Sequence, residues 1–169
     1  GLRTYGNVML QHTSSNGEFR NIIAQNSSGV SYGTVFVRDG VSRQIDNLTI
    51  GNRGVPMGLA TSRTTTPITN VRINGSIASY SGGCYGQAWT NITVEDGTLD
   101  FRVCEAGGSR WNNLTMNYSG SGPMIMFGSY GDHVIRNALL SVTNNATIIR
   151  VDSGAPNILF ANVSITTTQ

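Results

Sequence analysis

The sequence predicts an all-β protein, a single-stranded right-handed parallel β-helix of about seven coils with an asparagine ladder. A six-residue pattern of apolar, any, Asn, apolar, any, apolar residues recurs seven times along the chain. Its asparagines are separated by 26, 23, 21, 22, 24 and 25 residues, a period typical of a solenoid. The composition, which includes 21 glycines and many Ser, Thr and Asn residues, disfavours helices.

Each repeat predicts a bend between two short strands. The residues that follow the asparagine alternate between apolar and polar, which is the period of a strand. Asparagine tolerates a positive φ better than other non-glycine residues, and stacked asparagine amides can hydrogen-bond from coil to coil. The ladder asparagines are Asn21, Asn47, Asn70, Asn91, Asn113, Asn137 and Asn162.

The residue two positions before each asparagine is always apolar and is expected to face the interior. These residues are Phe19, Ile45, Ile68, Trp89, Trp111, Ile135 and Phe160. Trp89 and Trp111 occupy the same register in adjacent coils. The column therefore predicts that both indoles stack in the core rather than bind sugars at the surface.

A second strand is expected about midway through most coils. The candidate segments are 34–38, 58–62, 76–80, 99–104, 124–127 and 148–152. Alternation places Leu99, Phe101, Val103, Ile125, Phe127, Ile149 and Val151 inward, and Phe36, Met124 and Met126 outward. Outward apolar side chains on one sheet predict a covered face, against a neighbouring subunit or a loop of the same chain.

Length and charge indicate one β-helix domain, residues 1–169, that is not a nucleic-acid-binding protein. The chain begins with Gly1 and its end coils are uncapped, so it is expected to be a piece of a longer protein. All 11 basic residues are Arg, they are scattered, and the net charge is +2. No apolar stretch is long enough to span a membrane, and no membrane insertion is expected.

Cysteines and glycosylation sequons carry little functional information. Cys84 and Cys104 are expected in adjacent coils, where a disulfide and stacked free thiols both remain open. No metal-binding spacing is present, and no metal or cofactor is expected. Eight N-x-S/T sequons are interpreted as by-products of an Asn- and Thr-rich repeat.

From about Phe19 to Ile165, the asparagine repeat resembles the pectate-lyase-like β-helix superfamily. The polygalacturonase motifs N-T-D, D-D, G-H-G and R-I-K are absent, as is the pectate-lyase motif R-x-P-x-x-R. The chain is therefore most similar to a phage tailspike or tail-fibre β-helix. That resemblance implies a homotrimer that engages cell-surface polysaccharide, located in the virion tail or outside the cell.

The sharpest acidic cluster supplies candidate catalytic residues: Asp100, Glu105 and Glu95. Two outward carboxylates can act as general acid and base on a glycosidic bond, at about 5–5.5 Å separation for retention or about 6.5–9.5 Å for inversion. Arg102 lies between Asp100 and Glu105. The alternative is a solvated Asp–Arg–Glu surface network.

Candidate substrate-binding residues are Arg102, Tyr85, Arg150 and Asp152. Together with the equivalent Arg38 and Asp39, outward Arg and Asp side chains would form a polar stripe suited to sugar hydroxyls, or an ordinary solvated face. Further candidates are a Gly-Asp-His turn with His133 as a base, and turn tyrosines at Tyr118 and Tyr130. Lone loop histidines are more often merely exposed.

Three functions remain open from the sequence. The first is a receptor-binding spike that engages a polysaccharide, with possible depolymerising activity. The second is a secreted polysaccharide lyase or hydrolase. The third is a structural or adhesive β-helix of a surface protein. The fold alone does not choose between them.

Overall fold

The structure is a computed structural model that describes residues 2–5, 7–10, 17–25, 33–37, 42–52, 57–61, 65–79, 86–104, 107–128, 130–152 and 156–168. The strands are β1 (Leu2–Tyr5), β2 (Val8–Leu10), β3 (Gly17–Gln25), β4 (Gly33–Val37), β5 (Ser42–Ile50), β6 (Met57–Thr61), β7 (Ile68–Asn74), β8 (Ile77–Ser79), β9 (Gln87–Glu95), β10 (Leu99–Phe101), β11 (Ser109–Tyr118), β12 (Ile125–Phe127), β13 (Asp132–Val142), β14 (Ile149–Val151) and β15 (Asn157–Thr167). In this part of the chain no helix has the length and apolar character needed to cross a membrane.

The strands form two parallel sheets, and the chain is a parallel β-solenoid. The odd-numbered strands stack in chain order into a sheet of eight, here called the long-strand sheet. The even-numbered strands stack into a sheet of seven, the short-strand sheet. The all-β parallel fold predicted from the repeat is confirmed, with eight stacked long strands against the seven coils predicted.

The ladder asparagines bend the long strands. All seven have a positive φ, between 53° and 59°, in the left-handed region that asparagine tolerates. Their amides hydrogen-bond between coils, as the repeat predicts: Asn91 Nδ2 donates to Asn70 Oδ1 at 2.9 Å, and Asn113 Nδ2 donates to Asn91 Oδ1 at 2.9 Å. The asparagine side chains are nevertheless exposed, so the ladder runs along the outside of the bend.

The apolar column before the asparagines forms the core. Trp89 and Trp111 are fully buried and stack with ring centroids 4.6 Å apart and planes 8° apart, which confirms their interior placement. The ends of the column are less covered. Phe19 is half-buried because β1 pairs only with Ile22–Gln25, and Phe160 is 36% exposed because β15 is the edge strand.

Two of the inward and outward assignments on the short strands are wrong. Val103 was expected inside but is 47% exposed, because β10 ends at Phe101 and residues 102–103 form a turn. Val151 aligns with the buried Phe127, so its inward assignment holds, and it is 46% exposed because β14 is the edge strand of its sheet. Met124 was expected outside but is buried, since it precedes β12 at a corner where alternation does not apply.

Candidate functional site

A row of side chains runs along the outward face of the short-strand sheet from β2 to β14. Most of these strands are short, and alternation leaves the middle residue of each facing outward between two buried neighbours. Strand register aligns the outward residues from coil to coil. The row is Met9, Phe36, Ala60, Ala78, Asp100, Met126 and Arg150. It is apolar over its first four positions and charged near its other end.

Two ion pairs flank Met126 at the charged end of this row. Arg102 Nε and Nη2 donate to Asp100 Oδ1 and Oδ2 at 2.9 and 2.6 Å, a bidentate pair. Arg150 Nε donates to Asp152 Oδ1 at 2.8 Å. We call Asp100, Arg102, Met126, Arg150 and Asp152 the polar platform. Four of its members were predicted from the sequence as site residues, and the structure brings them together.

The platform charges interact with one another. Hydrogen bonding from Arg102 lowers the pKa of the Asp100 carboxyl, against a smaller opposing effect of burial. The pKa of Arg102 is raised by Asp100 and, less strongly, by the charge of Asp152. The guanidinium of Arg102 therefore lies in the field of both acids. Asp100 is held ionised, which suits a hydrogen-bond acceptor and disfavours a general acid.

Of the predicted catalytic carboxylates, Asp100 and Glu95 lie on different sheets. Glu95 lies on β9 in the other sheet, where Arg72 Nη2 contacts its Oε1 at 2.7 Å. Glu105 lies outside the described residues, as do Tyr85, Arg38 and Asp39. In the described ranges, no group of three or more His, Cys, Asp or Glu residues could hold a metal ion.

His133 is a core residue and not an exposed turn base, so the catalytic interpretation is wrong. It lies on β13, and its side chain is fully buried beside Phe127. Its Nδ1 is 3.0 Å from Ser109 Oγ, and its Nε2 is 3.3 Å from the Tyr130 carbonyl oxygen. Burial lowers the pKa of His133, so the ring is neutral at pH 7.

Hydrogen-bond roles fix the tautomer of His133. The Tyr130 carbonyl can only accept, so Nε2 carries the proton and Nδ1 accepts from the Ser109 hydroxyl. Ser109 Oγ in turn accepts from Trp111 Nε1–H at 2.9 Å. The result is a buried chain from Trp111 through Ser109 and His133 to a backbone carbonyl. It stabilises the core and has no access to a substrate.

Two further predictions have clear outcomes. Tyr118 is buried at the end of β11 against Gly120 and is unavailable to a sugar, whereas Tyr130 is exposed. Cys104 is buried and disulfide-bonded, which decides between the disulfide and the free thiol left open by the sequence. The only other cysteine in the sequence is Cys84, which lies outside the described residues.

Sequence reasoning missed a second surface, on the long-strand sheet. Arg110, Asn112, Arg136 and Thr90 face outward before the asparagine bend and line a depression of about 430 Å³. We call these four residues the arginine groove. The signal was present in the repeat, because residues one and three positions before the asparagine alternate with the buried column. Arg110 and Arg136 are 26 residues apart in the sequence, so their spacing alone does not bring them together.

Function has to be inferred from the fold and from these two surfaces, because comparisons with known proteins found no match. No protein-family model, no curated protein and no solved structure matches the chain.

Proposed function

We propose that this chain is a polysaccharide-binding β-helix of the phage tailspike kind, which engages a cell-surface glycan through the polar platform. The observation that carries the proposal is the register Asp100–Met126–Arg150, which sets two ion pairs on either side of an outward thioether. Stacked strands lie about 4.8 Å apart, so Asp100 and Arg150 are about 10 Å apart along the solenoid. An extended sugar chain fits such a surface better than a compact ligand does.

The chemistry of the platform matches a sugar chain. Sugar hydroxyls both donate and accept, and the platform offers carboxylate acceptors and guanidinium donors side by side. Met126, half-buried between the pairs, offers an apolar contact for the C–H face of a sugar ring. Because each ion pair already holds its side chains in place, binding immobilises little additional side-chain freedom.

The apolar part of the row supports assembly into a homotrimer. Met9 and Phe36 lie in register on the outward face, followed by Ala60 and Ala78. Met9 is 55% exposed, and an apolar strip of this kind is covered when neighbouring subunits pack against it. The disulfide at Cys104 favours a location outside the reducing cytosol, either in a virion tail or in another extracellular setting.

A depolymerising enzyme is the second candidate, and the electrostatics of Asp100 weigh against it. A glycosidase needs a carboxyl that stays protonated to act as general acid, whereas Arg102 lowers the pKa of Asp100. Glu95 is committed to Arg72 on the other sheet. We therefore expect no release of reducing ends when the chain is incubated with a polysaccharide that it binds.

Binding to a panel of capsular and O-antigen polysaccharides tests the proposal. Asp100→Asn and Arg150→Gln should each weaken binding about tenfold, the loss expected for a charge-assisted hydrogen bond. The matched control is Arg20→Gln, which removes an exposed arginine paired with Glu18 at 3.0 Å on the long-strand sheet. It should bind like the wild type.

Two results would count against this function. If the wild type binds no polysaccharide of the panel, a structural or adhesive β-helix is the better description. If it releases reducing ends and Asp100→Ala abolishes that release without loss of folding, the chain is an enzyme. Solution mass tests the oligomer separately, with a trimer expected and a monomer contradicting it.

A further inference from the structure

The arginine groove is a depression lined by two arginines that form no ion pair with a carboxylate among the described residues. Six arginine side chains are described, and four of them form ion pairs with carboxylates: Arg20, Arg72, Arg102 and Arg150. Arg110 and Arg136 form no ion pair in the described part of the chain. Both of these arginines line the same depression of about 430 Å³.

Strand register sets the separation of the two arginines. Arg110 is aligned with Val134, and Asn112 is aligned with Arg136, so Arg136 lies one coil on and two residues along. With strands about 4.8 Å apart and a rise of about 3.3 Å per residue, the two Cα atoms are about 8 Å apart. Two long arginine side chains at that distance can reach a common anionic group or two neighbouring ones.

Asn112 adds a donor between the arginines. Its Oδ1 accepts a hydrogen bond from Asn137 Nδ2 at 2.8 Å, which fixes the orientation of the amide. The Asn112 amide nitrogen is then left to donate, and it has no partner among the described residues. Thr90 aligns with Asn112 one coil earlier and adds a hydroxyl. The groove offers donors in excess, and its lining includes no carboxylate.

We propose that the arginine groove binds the carboxylates of an acidic polysaccharide. The inference rests on the proposed function and names its ligand class: a glycan that carries uronic or similar acidic sugars. Arginine matches a carboxylate with two parallel N–H···O bonds, so an acidic sugar is recognised by shape as well as charge. The groove and the polar platform lie on the same coils, because β10, which carries Asp100, is followed directly along the chain by β11, which carries Arg110.

Matched polymers separate carboxylate recognition from general sugar binding. The probes are hyaluronan and polysialic acid, each beside its carboxyl-reduced neutral product, with a single-stranded oligothymidylate as a different polyanion. The wild type should bind both acidic polymers at least tenfold more tightly than their neutral products at low salt. The Arg110→Gln/Arg136→Gln double variant should lose that preference and keep the affinity for the neutral polymers.

Two control variants make the outcome specific. Arg20→Gln removes a paired arginine from the same sheet and should keep the full preference for acidic polymers. Arg150→Gln should weaken acidic and neutral polymers by the same factor, because it acts on the platform. The midpoint of thermal unfolding is measured for each variant. A midpoint equal to that of the wild type verifies that these exposed substitutions leave the fold intact.

The failures of the two proposals are distinguishable. If acidic and neutral polymers bind equally, and the double variant changes neither while Arg150→Gln weakens both, the groove inference is overturned and the platform stands. If only the double variant weakens binding, the platform is overturned and the groove stands. If oligothymidylate binds as tightly as the acidic polymers through the same arginines, the assignment to a glycan is overturned.

Discussion

Asn137 donates from Nδ2 to Oδ1 of Asn112 at 2.8 Å, and so bypasses Asn113, its counterpart in the repeat. The same step occurs one segment earlier, where Asn70 Nδ2 donates to Asp46 Oδ1 at 2.7 Å instead of reaching Asn47. In both cases the acceptor belongs to the residue just before the ladder asparagine: Asn112 before Asn113, and Asp46 before Asn47. The ladder is therefore made of three hydrogen-bonded segments joined by side chains one residue earlier in the coil.

The segmented ladder predicts that its asparagines differ in their contribution to stability. Asn91 both donates to Asn70 and accepts from Asn113, whereas Asn47 only donates, to Asn21. Glycine tolerates the positive φ and lacks the amide. Asn91→Gly should therefore lower the free energy of unfolding by about 0.5–1.5 kcal/mol more than Asn47→Gly, the contribution of one hydrogen bond. Urea denaturation measures both.

Asn91→Ala separates the backbone from the side chain. Alanine loses the same bonds and must also adopt the left-handed conformation, which costs about 1–2 kcal/mol more than it does for glycine. Equal effects of glycine at positions 47 and 91 would contradict the segmented ladder. Equal effects of alanine and glycine at position 91 would contradict the role assigned to the positive φ.

The two stacked indoles predict a second difference in stability. Trp111 Nε1 donates to Ser109 Oγ, whereas the buried Nε1 of Trp89 has no hydrogen-bond partner. Phenylalanine removes a similar volume and the N–H group at either site. Trp111→Phe should be more destabilising than Trp89→Phe by about 1–3 kcal/mol, because only the first substitution breaks a buried hydrogen bond. Chemical denaturation of both variants under the same conditions measures the difference. A larger loss in the free energy of unfolding for Trp89→Phe than for Trp111→Phe would contradict the prediction.

Burial of His133 predicts a loss of stability on acidification. Its folded pKa lies below the unfolded value of about 6.5, so the unfolded state binds more protons at mildly acidic pH. This contribution is fully present above pH 6.5 and is lost as the pH falls through the window below it. NMR titration of the imidazole ring should place the midpoint for His133 below pH 6.5. A midpoint at or above 6.5 would contradict the buried hydrogen-bond chain.

The disulfide at Cys104 predicts a redox-dependent stability. Removing a native disulfide costs about 2–4 kcal/mol in typical proteins. Cys104→Ala should therefore lower the free energy of unfolding by that amount, and a reducing agent should do the same to the wild type. The reducing agent should have no effect on the Cys104→Ala variant.

Much of the fold was predictable because side chains alternate between inward and outward on either side of the asparagine in most of the long strands. Alternation around the repeat asparagine placed Ile68, Trp89 and Trp111 in the core correctly. The errors lie where strands end: at Val103 the chain has already turned, and at Met124 it has not yet entered the strand. Corners depend on backbone geometry that alternation does not encode.

The candidate site was predictable in part. Alternation identified Asp100 and Arg150 as outward, but their alignment through Met126 depends on the lengths of two intervening coils. Similarly, Arg110 and Arg136 become neighbours only through strand register. Register arises from stacking along the whole solenoid, so residues that are far apart in sequence converge without any local signal.

The central claim is that a sugar chain lies across the polar platform, and Met126 offers the most direct test. With ¹³C-methyl methionine labelling, titration with an oligosaccharide from a polymer that the chain binds should shift the Met126 methyl resonance. The buried Met57, Met116 and Met124 serve as internal controls and should not move. A saturable shift at Met126 is the predicted result. Saturation of binding with an unchanged Met126 resonance would contradict the account.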